Sequence, residues 1–334
     1  MENLIVGGGL TGLIYAFYNK DFKILTDRIG GQSNAGFELG PRLIQKHEMT
    51  TKLLADLGYK SFVGWDDYNM MQHQKPVILN TARIEYYEAG RVSSIPSDEF
   101  RLKYYIKSRC LTGDKIEIPE TVMSENKNSI DYYEISHVKL AGVLAEKLKK
   151  EQRIFLGRVQ QVHLEDKLIN FKPDDGDTVT MSFNKLVNTA PFPIFFKLCN
   201  PLTKLQEGFE FEPKYFINAD KHDFWRYLGN EEYEYIYFAD DDLPWHRITV
   251  GRTECVIECT GEEPYDYFFE MCKKYEWDAQ HLKVGQIKQS YDTLNIKMNG
   301  GDEPNYVRML GRYGQWKHEI KTQQVVAQAV EGLW

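Results

Sequence analysis

The chain has 334 residues, of which 42% are hydrophobic and 27% charged, and its formal net charge is −8. This length exceeds what one simple core accommodates and suits two connected domains, while the composition excludes a disordered or fibrous chain. The acidic balance argues against a broad basic surface for nucleic acid; Arg101, Lys103, Lys107 and Arg109, interleaved with Tyr104 and Tyr105, form a local basic run that reads as a solvated face.

Asn3, Leu4, Ile5 and Val6 form a short apolar strand followed at once by glycines. Leu10, Leu13, Ile14 and Phe17 then recur at helical spacing, and residues 22–25 form a second strand. Strand, glycine turn, helix and strand make a βαβ unit. A helix is predicted over residues 47–58, with Leu53, Leu54 and Leu57 on one face and Gly58 as its stop. From 60 to 130 the pattern is mixed, with strand-like alternation at Arg83–Tyr87, and residues 137–150 read as an amphipathic helix with a lysine-rich end. Compact strands are expected at residues 154–156, 159–164, 168–171 and 178–183, then a buried strand at 185–190 ending in a turn broken by Pro191. Residues 215–260 have strand composition, 264–276 look helical, and a helix over 322–333 closes the chain.

The five cysteines, Cys110, Cys199, Cys255, Cys259 and Cys272, have no zinc-pair spacing; Cys255 and Cys259 read as packing residues, and no metal site is expected. With the first strand beginning at Asn3 no signal peptide is expected, and no apolar run is long enough to span a membrane as a helix. A reducing, cytoplasmic setting is therefore expected. The 18 Phe, 21 Tyr and 6 Trp suit packed cores and also a flat conjugated ligand.

The chemistry begins at Gly7-Gly8-Gly9-Leu10-Thr11-Gly12, which fits G-x-G-x-x-G. Gly7 permits the tight turn, Gly9 lets the backbone approach a pyrophosphate, and Gly12 lets the helix pack on the sheet. The helix N-terminus, at Leu10 and Thr11, offers N–H groups and a positive dipole to the phosphates. A ribose-binding acid is expected about 20 residues on, and Asp27 stands there, at the end of the second strand.

The following residues carry a resemblance. Asp27-Arg28-Ile29-Gly30-Gly31-Gln32 resembles the R-x-G-G element of the FAD-dependent amine oxidase, protoporphyrinogen oxidase and UDP-galactopyranose mutase group. Phe37-Glu38-Leu39-Gly40-Pro41-Arg42 resembles the F-E-L-G-P-R of protoporphyrinogen oxidases, and Asn188-Thr189-Ala190-Pro191 a strand end of the same group. Leu243-Pro244-Trp245-His246-Arg247-Ile248 and Gly311-Arg312-Tyr313-Gly314-Gln315-Trp316-Lys317 resemble segments of the mutases. The resemblance implies FAD as cofactor and an α/β fold: a Rossmann-like FAD domain of glutathione-reductase type with an inserted, mixed α+β substrate domain. The FAD domain would comprise residues 1–46, 137–196 and 300–334, and the substrate domain residues 47–136 and 197–299.

It also implies cofactor contacts from Arg28, Gly30, Gly31, Gln32, Gly40, Pro41, Arg42, Thr189, Ala190, Gly311, Arg312 and Tyr313, and an adenine neighbour at Val159. Arg42, His246 and Arg247 are the candidates for work on the substrate. Arg42 would hold an anionic substrate or the flavin edge, Arg247 an anionic group, and His246 a proton. Mutases carry histidines where this chain has Gly40 to Gln45, and neither is present. Three enzymatic readings follow: an oxidoreductase moving a hydride from a small or nucleotide-like substrate to flavin, a mutase-like isomerase on a nucleotide sugar, and an enzyme acting on a modified nucleic-acid base. A flavoprotein scaffold without activity is a fourth. Fold does not choose among them.

Overall fold

The computed structural model describes residues 1–31, 43–63, 75–88, 91–108, 129–199, 213–220, 234–243, 245–250, 254–260, 283–288, 304–315 and 320–334. The expected helix at 264–276 and Gln32, Gly40, Pro41 and Arg42 lie outside the described residues.

Five strands build a parallel sheet in the order β8–β2–β1–β10–β16: β1 (Glu2–Val6), β2 (Phe22–Thr26), β8 (Ile154–His163), β10 (Val179–Asn188) and β16 (Val307–Met309). Helix α1 (Leu10–Tyr18) links β1 to β2. Alternation along each strand sorts side chains to two cores. Ile5, Ile24 and Val187 enter one cluster with Leu13, Ile14, Leu140 and Leu144. Leu4, Val6, Leu25 and Leu186 enter the other with Val162, Ile169, Phe171 and Phe195. The first cluster holds α1, α4 (His137–Lys150) and α7 (Thr322–Glu331); the second holds α5 (Phe192–Cys199) and an antiparallel meander through β9 (Leu168–Pro173).

The pairs of strands expected at 154–156 and 159–164, and at 178–183 and 185–190, are each one continuous strand. The first part of β8 pairs with β2 in parallel and the rest with β9 antiparallel. β10 does the reverse, leaving β9 for β1. Gly157, at φ 150°, marks the changeover in β8, where a Cβ would lie 2.3 Å from the carbonyl oxygen of Lys172. Buried Arg153 pins the start of β8, donating to the carbonyls of Phe22, Ala16 and Asn19.

The second sheet runs β15–β11–β14–β13–β12–β5–β7–β3, with β4 (Tyr59–Val63) and β6 (Arg91–Ser93) also pairing with β5. Its strands are β3 (Leu43–Gln45), β5 (Lys75–Glu88), β7 (Ser129–Ser136), β11 (Pro213–Asp220), β12 (Glu234–Phe238), β13 (Trp245–Val250), β14 (Glu254–Thr260) and β15 (Lys283–Lys288). Ile44, Val77, Tyr133 and Ile135 carry the first core cluster into this sheet, beside Leu53 and Leu54 of α2 (Glu48–Asp56). The basic run at 101–109 is not only a solvated face: residues 98–108 form helix α3, which buries Phe100 and Tyr105. Ser97 caps it through Phe100 N–H (2.9 Å), and Asp98, Glu99 and Lys107 suit its dipole.

Candidate functional site

Strand β1 is flanked by β2, reached through α1, and on its other side by β10. The winding of the parallel sheet reverses between β1 and β10, and at such a point the carboxyl ends of the strands open a crevice. The motif residues meet there. Gly7, at φ 108°, leaves β1 with its N–H on the Leu25 carbonyl (3.0 Å). A Cβ on Gly7 would lie 2.6 Å from Thr189 Oγ1, and one on Gly12 would lie 2.1 Å from the Gly7 carbonyl oxygen. Both glycines are therefore demanded by packing. Thr189 Oγ1 donates toward the carbonyls of Val6 (3.1 Å) and Gly7 (3.0 Å), and Ala190 N–H donates to Val6 (3.2 Å). Thr189 and Ala190 thus brace the turn.

Gly9 differs. Its φ of −70° is open to any residue, and among the described residues a Cβ there would meet nothing nearer than the Cα of Gly31 at 4.0 Å. Packing among the described residues does not explain glycine at this position; it leaves an open backbone at the N-cap of α1, where no side chain caps the helix. The orphan N–H groups of its first turn make an anion-binding edge.

The second glycine pair closes on this edge. Gly30 N–H donates to Gly8 (2.8 Å), a bridge joins Gly9 and Gly30, and Gly31 sits with φ 55° against Gly9. Buried Thr26 organises the loop, accepting from Gly8 N–H (2.9 Å) and donating to the Arg28 carbonyl (2.7 Å). Asp27 and Arg28 are exposed, and among the described residues Asp27 has no hydrogen bond or ion pair. A free carboxylate at the end of β2, beside an open helix N-terminus, could hold the ribose of a dinucleotide. Gly311 completes the rim: at φ 76° it packs on Thr11, where a Cβ would lie 2.5 Å from Thr11 Oγ1. Arg312 and Tyr313, part-buried, follow in the short helix α6 (Gly311–Gly314). Leu10 packs partly on the first core and Val159 partly on the second.

His246 and Arg247 belong to a separate constellation in the second sheet. Trp245 pairs with Cys259 and Arg247 with Glu258, so His246 is the extra residue of a bulge. The bulge turns it onto the face that carries Arg247. Arg247 donates to Glu258 Oε1 through Nε (2.8 Å) and Nη2, while His246 Nε2 lies 3.8 Å from Glu258 Oε2. The Glu258 and His246 side chains are only 4% and 3% exposed, that of Arg247 28%. Burial works against the Arg247 charge, but Glu258, with the phenols of Tyr104 and Tyr237, holds its pKa well above the ordinary arginine value. Tyr104, from α3, tilts over His246 at 6.1 Å and meets Tyr237 edge-on at 5.0 Å. One turn on, Lys107 donates to the Asp240 carbonyl, and burial pulls its pKa down to about 8 against Asp241, Asp240 and Asp242. Glu258 and Lys107 are absent from the candidates drawn from the sequence. A glutamate within the apolar strand Cys255–Cys259 was the available signal for the first.

Among the described residues no cluster of His, Cys, Asp or Glu could hold a metal ion, and no helix is long and apolar enough to cross a membrane. No protein-family model matches the chain, and no curated protein matches its sequence. Solved structures do match it in fold. Reduced UDP-galactopyranose mutase is similar over 99% of this chain and 94% of its own, at 13% identity and a TM-score of 0.62. Cyclohexylamine oxidase from Brevibacterium oxydans IH-35A is similar over 99% and 97%, at 12% identity and 0.60. A geranylgeranyl bacteriochlorophyll reductase-like protein from Thermoplasma acidophilum is similar over 98% and 76%, at 11% identity and 0.57.

Proposed function

We propose that this chain binds FAD at the crevice between β1 and β10 and works as an FAD-dependent oxidoreductase of the amine oxidase and protoporphyrinogen oxidase kind, moving a hydride from a small or nucleotide-like substrate to the flavin. The observation that carries this reading is Gly9: a glycine that packing among the described residues does not require, on an uncapped helix N-terminus, facing the Gly30-Gly31 loop. A pyrophosphate fits that cradle. When bound, the isoalloxazine supplies the hydride acceptor.

The chain's own residues do the rest. N–H groups of the first turn of α1 would take the pyrophosphate, and Asp27 the ribose hydroxyls. Arg28, Gly30 and Gly31, with Gln32, Gly40, Pro41 and Arg42 beyond the described residues, would flank the cofactor. The backbone at Val159 would meet the adenine, and Gly311, Arg312 and Tyr313 would approach the ring. Arg247 and His246 would orient the substrate. The discontinuous division into an FAD domain (1–46, 137–196, 300–334) and a substrate domain (47–136, 197–299) belongs to this reading.

The likeness to UDP-galactopyranose mutase, with Leu243 to Ile248, supports an isomerase as the second reading. Anaerobic mixing with a panel of amines and nucleotide sugars separates the two. Bleaching of the flavin by a substrate, followed by oxygen uptake, is expected of the oxidoreductase. Turnover only after chemical reduction, without oxygen uptake, would transfer the assignment to the isomerase.

A further inference from the structure

The sheet constellation has a charge balance that bears on the substrate. The charge on Arg247 is opposed by Glu258 directly across the strand pair, and the other titratable groups that act on it, Tyr104 and Tyr237, are neutral phenols. Both bonds of its fork that the protein uses, from Nε and Nη2, go to Oε1 of that carboxylate. Among the described residues Nη1 has no partner, and the Arg247 side chain is more exposed than those of Glu258 and His246. A hydrophobic pair of similar volume would serve stability at least as well as a nearly buried ion pair. What the pair provides is an oriented guanidinium whose charge is already cancelled.

Resting on the substrate role proposed above for Arg247, we infer that this site selects an uncharged, carbonyl-bearing substrate, with Arg247 Nη1 donating to its oxygen and Glu258 as the positioning and charge-cancelling residue. A diphosphate is then the wrong ligand. Its charge would face the Glu258 carboxylate through a mostly buried site, where like-charge repulsion exceeds about tenfold in affinity. An amide or imide oxygen meets no such penalty, and the flanking phenols of Tyr104 and Tyr237 suit a flat ring.

The test uses two probes of one shape, benzamide and benzoate, titrated by calorimetry into the purified full chain at about pH 8, where an ordinary histidine is neutral. Wild type should bind benzamide at least about tenfold more tightly than benzoate. Glu258→Gln should swing the preference toward benzoate by about tenfold or more, because it uncovers the guanidinium charge. Arg247→Lys keeps the charges and removes the fork, so it should weaken benzamide about tenfold; this variant decides if Glu258→Gln does not fold. A wild-type preference for benzoate, binding of neither probe, an unchanged preference in Glu258→Gln, or undiminished benzamide binding in Arg247→Lys would each overturn the inference. Absence of flavin from the same preparation would count against the cofactor reading instead.

Discussion

Gly7 lies against Thr189 so closely that a single methyl group would separate β1 from β10: its Cβ would stand 2.6 Å from Thr189 Oγ1 and 3.0 Å from Ala190 N. Gly7→Ala therefore combines a positive φ with overpacking, and a loss of about 3 kcal/mol is expected. Gly9→Ala, at φ −70° with open space, should leave stability within about 0.5 kcal/mol. Urea denaturation of the two variants checks this. Equal losses would mean that both glycines serve packing alone.

Thr26 and Asp27 are neighbours with different duties. Thr26→Ala removes the acceptor of Gly8 N–H and the donor to the Arg28 carbonyl, so it should cost stability, about 1–3 kcal/mol. Asp27→Ala should leave the melting temperature unchanged and weaken FAD about tenfold or more, since the free carboxylate can accept from ribose hydroxyls. Melting curves and FAD dissociation constants of both variants are the measurement. An unaltered FAD constant in Asp27→Ala would remove that residue from the site.

Arg153 satisfies three carbonyls at once, including Ala16 and Asn19 at the C-terminal end of α1. Arg153→Met removes the guanidinium donor from all three, leaving Asn19 only the Phe22 N–H (3.2 Å), and a loss of about 3 kcal/mol is expected by chemical denaturation.

Lys107 gives a pH dependence. Its pKa falls from an ordinary 10.5 when unfolded to about 8 when folded. The unfolded chain then binds more protons between those values, so stability from this group rises with pH there, and the penalty is fully present below about 8. Relative to Lys107→Met, wild type should gain stability between about pH 8 and 10.5 and change little between 6 and 7. A flat difference across that window would show that the amine is not desolvated.

The βαβ unit was legible because its signals are local: two short apolar runs, a glycine turn and a period of 3.6 lie within 26 residues. Helix α4 was equally plain, and its bounds fall where the sequence put them. Helix α5 is absent from the sequence reading, which stops at the turn broken by Pro191; a first helical turn nonetheless tolerates proline, as Pro193 shows. The unbroken β8 and β10 could not be read, because each changes partners midway and only the sheet reveals that. The same holds for the site. Gly7, Gly9 and Asp27 carry their meaning in spacing, whereas the placement of His246 beside Glu258 depends on a bulge defined by another strand.

On the proposed function, Gly9 is glycine for the sake of a bound FAD. The direct measurement is the flavin content, by absorbance after purification, of wild type and Gly9→Asp, each alongside its melting curve. Wild type should be yellow with about one FAD per chain, and Gly9→Asp should fold but be colourless, because a carboxylate occupies the place of the pyrophosphate. A folded Gly9→Asp protein with full flavin occupancy would contradict this role for Gly9.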